Sequence, residues 1–319
     1  MDDGAIMQVD YSAQTTDPIV EYSRFYAPPW KMGVMALLRP AFHWQGRQSL
    51  SAAFLSSVPA GTKVIHEHGY PLKARREWVN KRTPLRGSRI LIQGTGSGWD
   101  ALSWLPFEPK SLHGVDLFSF QQSWEKVRSY ARSSGLAEPL FSISGLESLP
   151  FASGSFDLAV SDAVFEHCRD LEAVVKETKR VLRPGGFAYA TYGPMWFCFG
   201  GDHFSGRGGL THGYNHIELE AEAYRKYFQK MLIPEEDAQS GGRYVELDLF
   251  SKLKTAEYFD IVSRCGFKII DLILEVEPLA LQFRKEFPER FLGILHKYPG
   301  LTADDLLVKT NIVILQSID

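Results

Sequence analysis

Residues 89–100 read RILIQGTGSGWD. A short apolar run ends in Gln93 and turns into three glycines, Gly94, Gly96 and Gly98. Glycine tolerates positive φ and lets a backbone come close to a bound group, so a strand followed by such a turn and a helix is a nucleotide-binding signature. The same glycines also serve a tight strand-to-helix corner with nothing bound, and the turn alone does not separate the two. Its neighbours do more. Apolar runs recur at LHGVDLF (112–118), LFSIS (140–144), FDLAVSD (156–162) and FAYATY (187–192), with helical patterns between them. In one, Trp124, Val127 and Ala131 share a face; in the next, Leu171, Val174, Val175, Thr178, Val181 and Leu182 form a stripe behind Asp170 as N-cap. Alternation of this kind builds a doubly wound parallel α/β sheet, with ligands at the carboxyl ends of its strands.

Composition narrows the function. The chain has 319 residues, a formal net charge of −3 and 45% hydrophobic residues, enough for a sizeable core. No basic field suits a nucleic-acid partner. Three unpaired cysteines, Cys168, Cys198 and Cys265, fit a reducing compartment, and no apolar run is long enough for a membrane span. The acidic opening MDDGAIMQVD lacks the basic character of a signal peptide. The expectation is a cytoplasmic protein, with its oligomeric state left open.

Beyond residue 192 the rhythm breaks into a Gly-, His- and aromatic-rich stretch and a helical pattern at 217–232. It resumes at FKIIDLILEV (267–276) and ends with TNIVILQS (310–317), a mostly helical insert lying between the two. Residues 1–85 carry no strand rhythm. The glycine spacing departs from the dinucleotide fingerprint, whose third glycine is replaced by Trp99. Asp116, 20 residues after Gly96, stands at the end of the second run, where a carboxylate can accept both hydroxyls of a ribose.

The run from Ile143 to Pro194 contains LPF, SFD, EH and RVLRPGG in that order. With GTGSG and Asp116, it resembles the class I S-adenosylmethionine-dependent methyltransferases over about residues 86–194. The resemblance implies a Rossmann-like sheet of seven strands with S-adenosyl-L-methionine as cofactor. In its terms residues 86–195 and 257–319 form the core, residues 1–85 an N-terminal cap, and residues 196–256 a lid. Gly94, Gly96 and Gly98 would lie against the methionine part, Asp116 against the ribose, and Leu117 against the adenine. Ser161 and Asp162 would line the cofactor near its sulfonium. Two positions depart from the family pattern. Ile92 replaces a carboxylate two residues before the first glycine, and Gly145 replaces an aspartate that receives the adenine amino group. Glu147 is the nearest substitute, beside backbone groups at Leu146.

A sulfonium methyl is already activated, so the protein need only align an attacking atom and exclude water. If that atom is a hydroxyl oxygen, a histidine near neutral pH suits the role of base. The stretch GGDHFSGRGGLTHGYNHIE (200–218) offers His203 and His216. It reads as a glycine-hinged lid carrying the base, or as a surface loop with solvated histidines. His167, in FEHC, is a further candidate, or a structural residue bonded to backbone. HEH at 66–68 lacks metal-ligand spacing, and no metal is expected. The aromatic N-terminal stretch 25–47 reads as core, as a cap stacking on an acceptor, or as a membrane-surface helix. The expected activity is O-methylation of a small molecule or saccharide. The alternatives are N- or C-methylation of a natural product, or a fold that keeps the cofactor without transfer.

Overall fold

The computed structural model describes residues 9–25, 29–66, 71–233 and 241–318. One sheet holds eight strands: β1 Lys63–His66, β2 Arg89–Gln93, β3 Ser111–Asp116, β4 Leu140–Ile143, β5 Phe156–Asp162, β6 Leu182–Tyr192, β7 Phe267–Val276 and β8 Val308–Ser317. Their order is β1-β7-β8-β6-β5-β2-β3-β4. β8 runs antiparallel to β6 and β7, and the other pairs are parallel. β2 explains why its sequence is continuously apolar. Leu91 packs into the core on one face of the sheet, Ile90 and Ile92 into the core on the other, and all three are fully buried.

The helix Gln121–Ser133 buries Trp124, Val127 and Ala131. The helix Leu171–Val181 starts where the Asp170 carboxylate accepts from Ala173 N–H at 2.9 Å. It buries Leu171, Val174, Val175, Thr178 and Val181, as the apolar stripe requires. No described helix is long and apolar enough to cross a membrane.

Three features depart from the sequence reading. The sheet has an eighth strand, β1, which extends it at the β7 edge with Lys63 beside Ile273. Four residues are too short for a period to register. The helix Pro29–Ser49 lies against β1. His43 Nδ1 bonds to the Val64 carbonyl at 2.8 Å, and Arg47 donates to the Thr62 carbonyl at 3.1 Å. A Cβ on Gly46 would come within 2.9 Å of the Val64 and Ile65 carbonyl carbons. Trp30 and Trp44 on this helix are 71% and 67% exposed, so they are neither core nor a cap over the cavity described below. Finally, the helix expected over 217–232 is two, Asn215–Glu218 and Ala221–Met231, parted by extended backbone at Leu219 and Glu220. Pro28 of the aromatic stretch, Glu67 and His68 of HEH, and the opening residues 1–8 lie outside the described residues.

Candidate functional site

A cavity of about 870 Å³ lies at the carboxyl ends of β2, β3, β4 and β5. Its floor is the glycine turn. Gly94 has φ +70°, and a Cβ there would fall 2.3 Å from Val164 Cγ2. Gly96 has φ +50° and open space where a Cβ would stand. Both line the cavity. Gly98 does not. A Cβ on it would press on Phe141 and Trp124, rings stacked with centroids 5.2 Å apart, so this glycine serves helix packing. Trp124 Nε1 donates to the Gly96 carbonyl at 2.8 Å, holding the turn to the helix behind it.

Asp116 ends β3 with its carboxylate in the cavity wall. One oxygen accepts from Gly96 N–H at 2.7 Å, the other from Phe118 N–H at 2.9 Å. Burial raises its pKa to about 6, against the lowering effect of those amides and of Arg243. Two amides do not exhaust a carboxylate, which has about four lone-pair sites. Leu117, Leu146 and Glu147 line the same cavity, as does Gly145.

Ser161 and Asp162 are absent from this wall. Asp162 is held by Arg75 at 3.2 Å, Arg76 at 2.5 Å and the Tyr189 hydroxyl at 3.2 Å. Burial by itself would raise the Asp162 carboxyl, yet Arg76 and Arg75 keep it below the usual carboxylate range. The arginines sit on the helix Leu72–Asn80, and they hold the carboxylate away from the strand-end crevice. Ser161 is 1% exposed, and Ala163 and Val164 line the cavity instead.

The histidines are also redistributed. The 200–218 stretch is folded on itself rather than laid over the cavity. Asp202 is fully buried and accepts from Ser205 N–H at 2.7 Å and the Tyr224 hydroxyl at 2.6 Å. The His216 ring bonds to Ser205 Oγ at 2.9 Å and the Trp196 carbonyl at 2.6 Å, and it does not reach the cavity. His203, at φ +68°, packs behind His167 with ring centroids 5.2 Å apart, and burial lowers its pKa to about 4. His167 does line the cavity. Its Nδ1 meets the Leu249 carbonyl at 2.8 Å, so Nδ1 carries the proton and Nε2 is the acceptor. Burial and then His203 lower its pKa to about 3. Of the three histidine candidates, His203 and His216 lie off the cavity, and His167 lines it as a neutral imidazole whose Nε2 is the acceptor.

The remaining walls come from residues that the sequence did not single out. Gln14, Thr15, Thr16 and Glu21 form one side, and Tyr244 with residues 246–249 the other. The Tyr244 ring lies tilted against His167, 3.9 Å between centroids. The Arg243 guanidinium lies 3.9 Å over the Tyr11 ring and 4.2 Å over Phe118, tying the two walls together. A run of Ser, Thr and Asp at 12–17 was a signal for a capped turn, and nothing in 244–249 marked a wall. Among the described residues no cluster could hold a metal ion.

The model of the family described as "Methyltransferase domain" matches residues 91–190. A bifunctional biotin-biosynthesis protein, BioHC, from Saccharophagus degradans is 33% identical over 154 residues, 45% of this chain and 26% of that protein. An arsenite methyltransferase from Aquipseudomonas alcaligenes is 34% identical over 144 residues, 42% of each. The solved YcgJ protein of Bacillus subtilis aligns over 77% of this chain and 98% of its own, with 16% identity and a TM-score of 0.45. The chain thus spans between a quarter and a half of the length of these two curated relatives. Over residues 91–190 the chain is similar to the methyltransferase domain family.

Proposed function

We propose that the whole chain is a methyltransferase that moves a methyl group from S-adenosylmethionine to a small-molecule acceptor, with a hydroxyl oxygen as the favoured attacking atom. When bound, S-adenosylmethionine supplies a methyl group already activated as a sulfonium. The observation that carries the reading is a cavity lined by both a buried carboxylate, Asp116, and a neutral imidazole, His167. Asp116 can accept from ribose hydroxyls, Gly96 leaves room for close backbone approach, and Leu117 and Leu146 present apolar surface to a base.

His167 would accept a hydrogen bond from the acceptor through Nε2 and so orient it, while Tyr244 and Leu249 fix the ring. Orientation then provides the rate, and the hydroxyl proton passes to solvent rather than to a stored histidine base. A saccharide or another small polar hydroxyl compound fits a wall of this polarity, and a nucleic acid does not fit the net charge of −3.

The test is mass-spectrometric detection of methylated product and S-adenosylhomocysteine with panels of hydroxyl, amine and carbon acceptors. His167→Ala is expected to lower kcat/KM by about 10- to 100-fold, the scale of one lost orienting bond, with S-adenosylhomocysteine affinity unchanged. Affinity for the cofactor with no transfer to any acceptor class would replace this reading with a binding protein. Full turnover in the His167 variant would remove the histidine from it.

A further inference from the structure

We infer that Glu21, on a helix outside the matched domain, is the carboxylate that receives the α-ammonium group of the cofactor's amino-acid arm. The inference rests on the adenosyl-cofactor reading above. That arm carries a fixed positive charge, and a charge removed from water needs an opposite charge beside it. The strand that precedes the glycine turn brings none. Ile92 is fully buried in apolar core beside Leu158 and Val160, and the Gln93 amide is engaged by Thr178 Oγ1 at 2.9 Å.

The other acids of the wall are placed elsewhere. Asp116 already accepts Gly96 and Phe118 amides at the ribose end, and Glu147 stands by Gly145, beyond β4. Glu246 and Asp248 are exposed side chains of the 244–249 stretch, and no hydrogen bond among the described residues ties them to the turn. Glu21 reaches the glycine turn from the N-terminal helix, accepting from Ser97 Oγ at 3.1 Å, one residue past Gly96, and it lines the cavity there.

Its position is built rather than incidental. Asp17 caps the helix Pro18–Phe25 by accepting from Ile19 N–H at 3.0 Å, and it pairs with Lys126 at 2.8 Å. Just upstream, Tyr11 N–H donates to the Ser119 carbonyl at 2.7 Å, docking the segment beside the end of β3. The helix thus brings to the turn the charge that the strand lacks.

Two probes separate the outcomes by calorimetry: S-adenosylhomocysteine, which has the amino-acid arm, and 5′-methylthioadenosine, which keeps the adenosine and thioether but lacks the arm. Glu21→Gln is expected to weaken S-adenosylhomocysteine by tenfold or more while methylthioadenosine stays within twofold. Unchanged affinity for both probes would overturn the assignment, as would equal losses for both, which would mark Glu21 as structural. A thermal melt of the variant, expected to match wild type, guards against misfolding as the cause of the first result. Failure of wild-type protein to bind either probe would instead bring down the cofactor reading, and the assignment with it.

Discussion

Replacing Asp116 by Asn should separate the charge of this site from its shape. Asp116 is 8% exposed, and burial lifts its pKa to about 6. Below that pH it holds a proton. Hydroxyls that donate to it favour the ionised form, so binding must release the proton. The sign follows: affinity is full above pH 6 and falls as pH drops through it. At pH 5 about one carboxyl in ten is ionised, which weakens binding by about tenfold relative to pH 7. Methylthioadenosine is the right ligand, because it lacks the arm that Glu21 would contact and so reports Asp116 alone. Arg243 lowers the Asp116 pKa, and Tyr244, raised by burial, stays neutral throughout this range. Asp116→Asn should weaken methylthioadenosine at pH 7 by roughly 1.5–3 kcal/mol, the loss of a charge-assisted pair of hydrogen bonds. It should also flatten the pH dependence between 5 and 7. Calorimetry in buffers of different ionisation enthalpy counts the proton directly. Wild-type affinity that is flat over this range, with no proton released, would refute the reasoning, and so would an Asn variant that binds as tightly as wild type.

Two other substitutions test the corrections to the site. Arg76→Met leaves the buried Asp162 with Arg75 as its sole cationic partner, and thermal or denaturant unfolding should show a loss of about 3–5 kcal/mol; an unaltered unfolding midpoint would mean the pair contributes nothing. His216→Ala removes bonds to Ser205 and Trp196, so about 1–3 kcal/mol of stability should be lost while turnover per folded molecule is retained; a collapse of turnover in well-folded protein would return His216 to the reaction.

The strands with long apolar runs were legible because their periodicity is local, and the glycine turn and Asp116 were legible because their roles follow from residue type at a fixed spacing. What escaped depends on contacts between distant parts of the chain. Asp162 ends a strand as expected, but Arg75 and Arg76, some 86 residues earlier, hold its carboxylate away from the crevice. His203 and His216 carried the right chemistry in a glycine-rich stretch, yet both rings are turned into the packing of that stretch and away from the cavity, and the direction a folded loop turns its rings is not written in spacing. β1 was too short to register, and the polar residues 14–21 and the wall at 244–249 match no motif. The two stretches are joined where Arg243 meets Tyr11 and Phe118, a contact between distant parts of the chain.

The place of β1 and its arginine helix bears on where this protein can be cut or recombined. The matched domain begins at residue 91, but the folding unit does not. A chain trimmed to start there would leave the β7 edge from Ile273 to Val276 with unpaired amides and carbonyls, an open template for a neighbouring molecule. It would also strand the Asp162 carboxylate in the interior without either guanidinium. Transplanting a related catalytic core onto this N-terminal segment therefore demands an acid at the position of Asp162 and an unoccupied edge strand. N-terminal segment and core fold as one sheet, and the seam visible in sequence similarity is not a seam in the molecule.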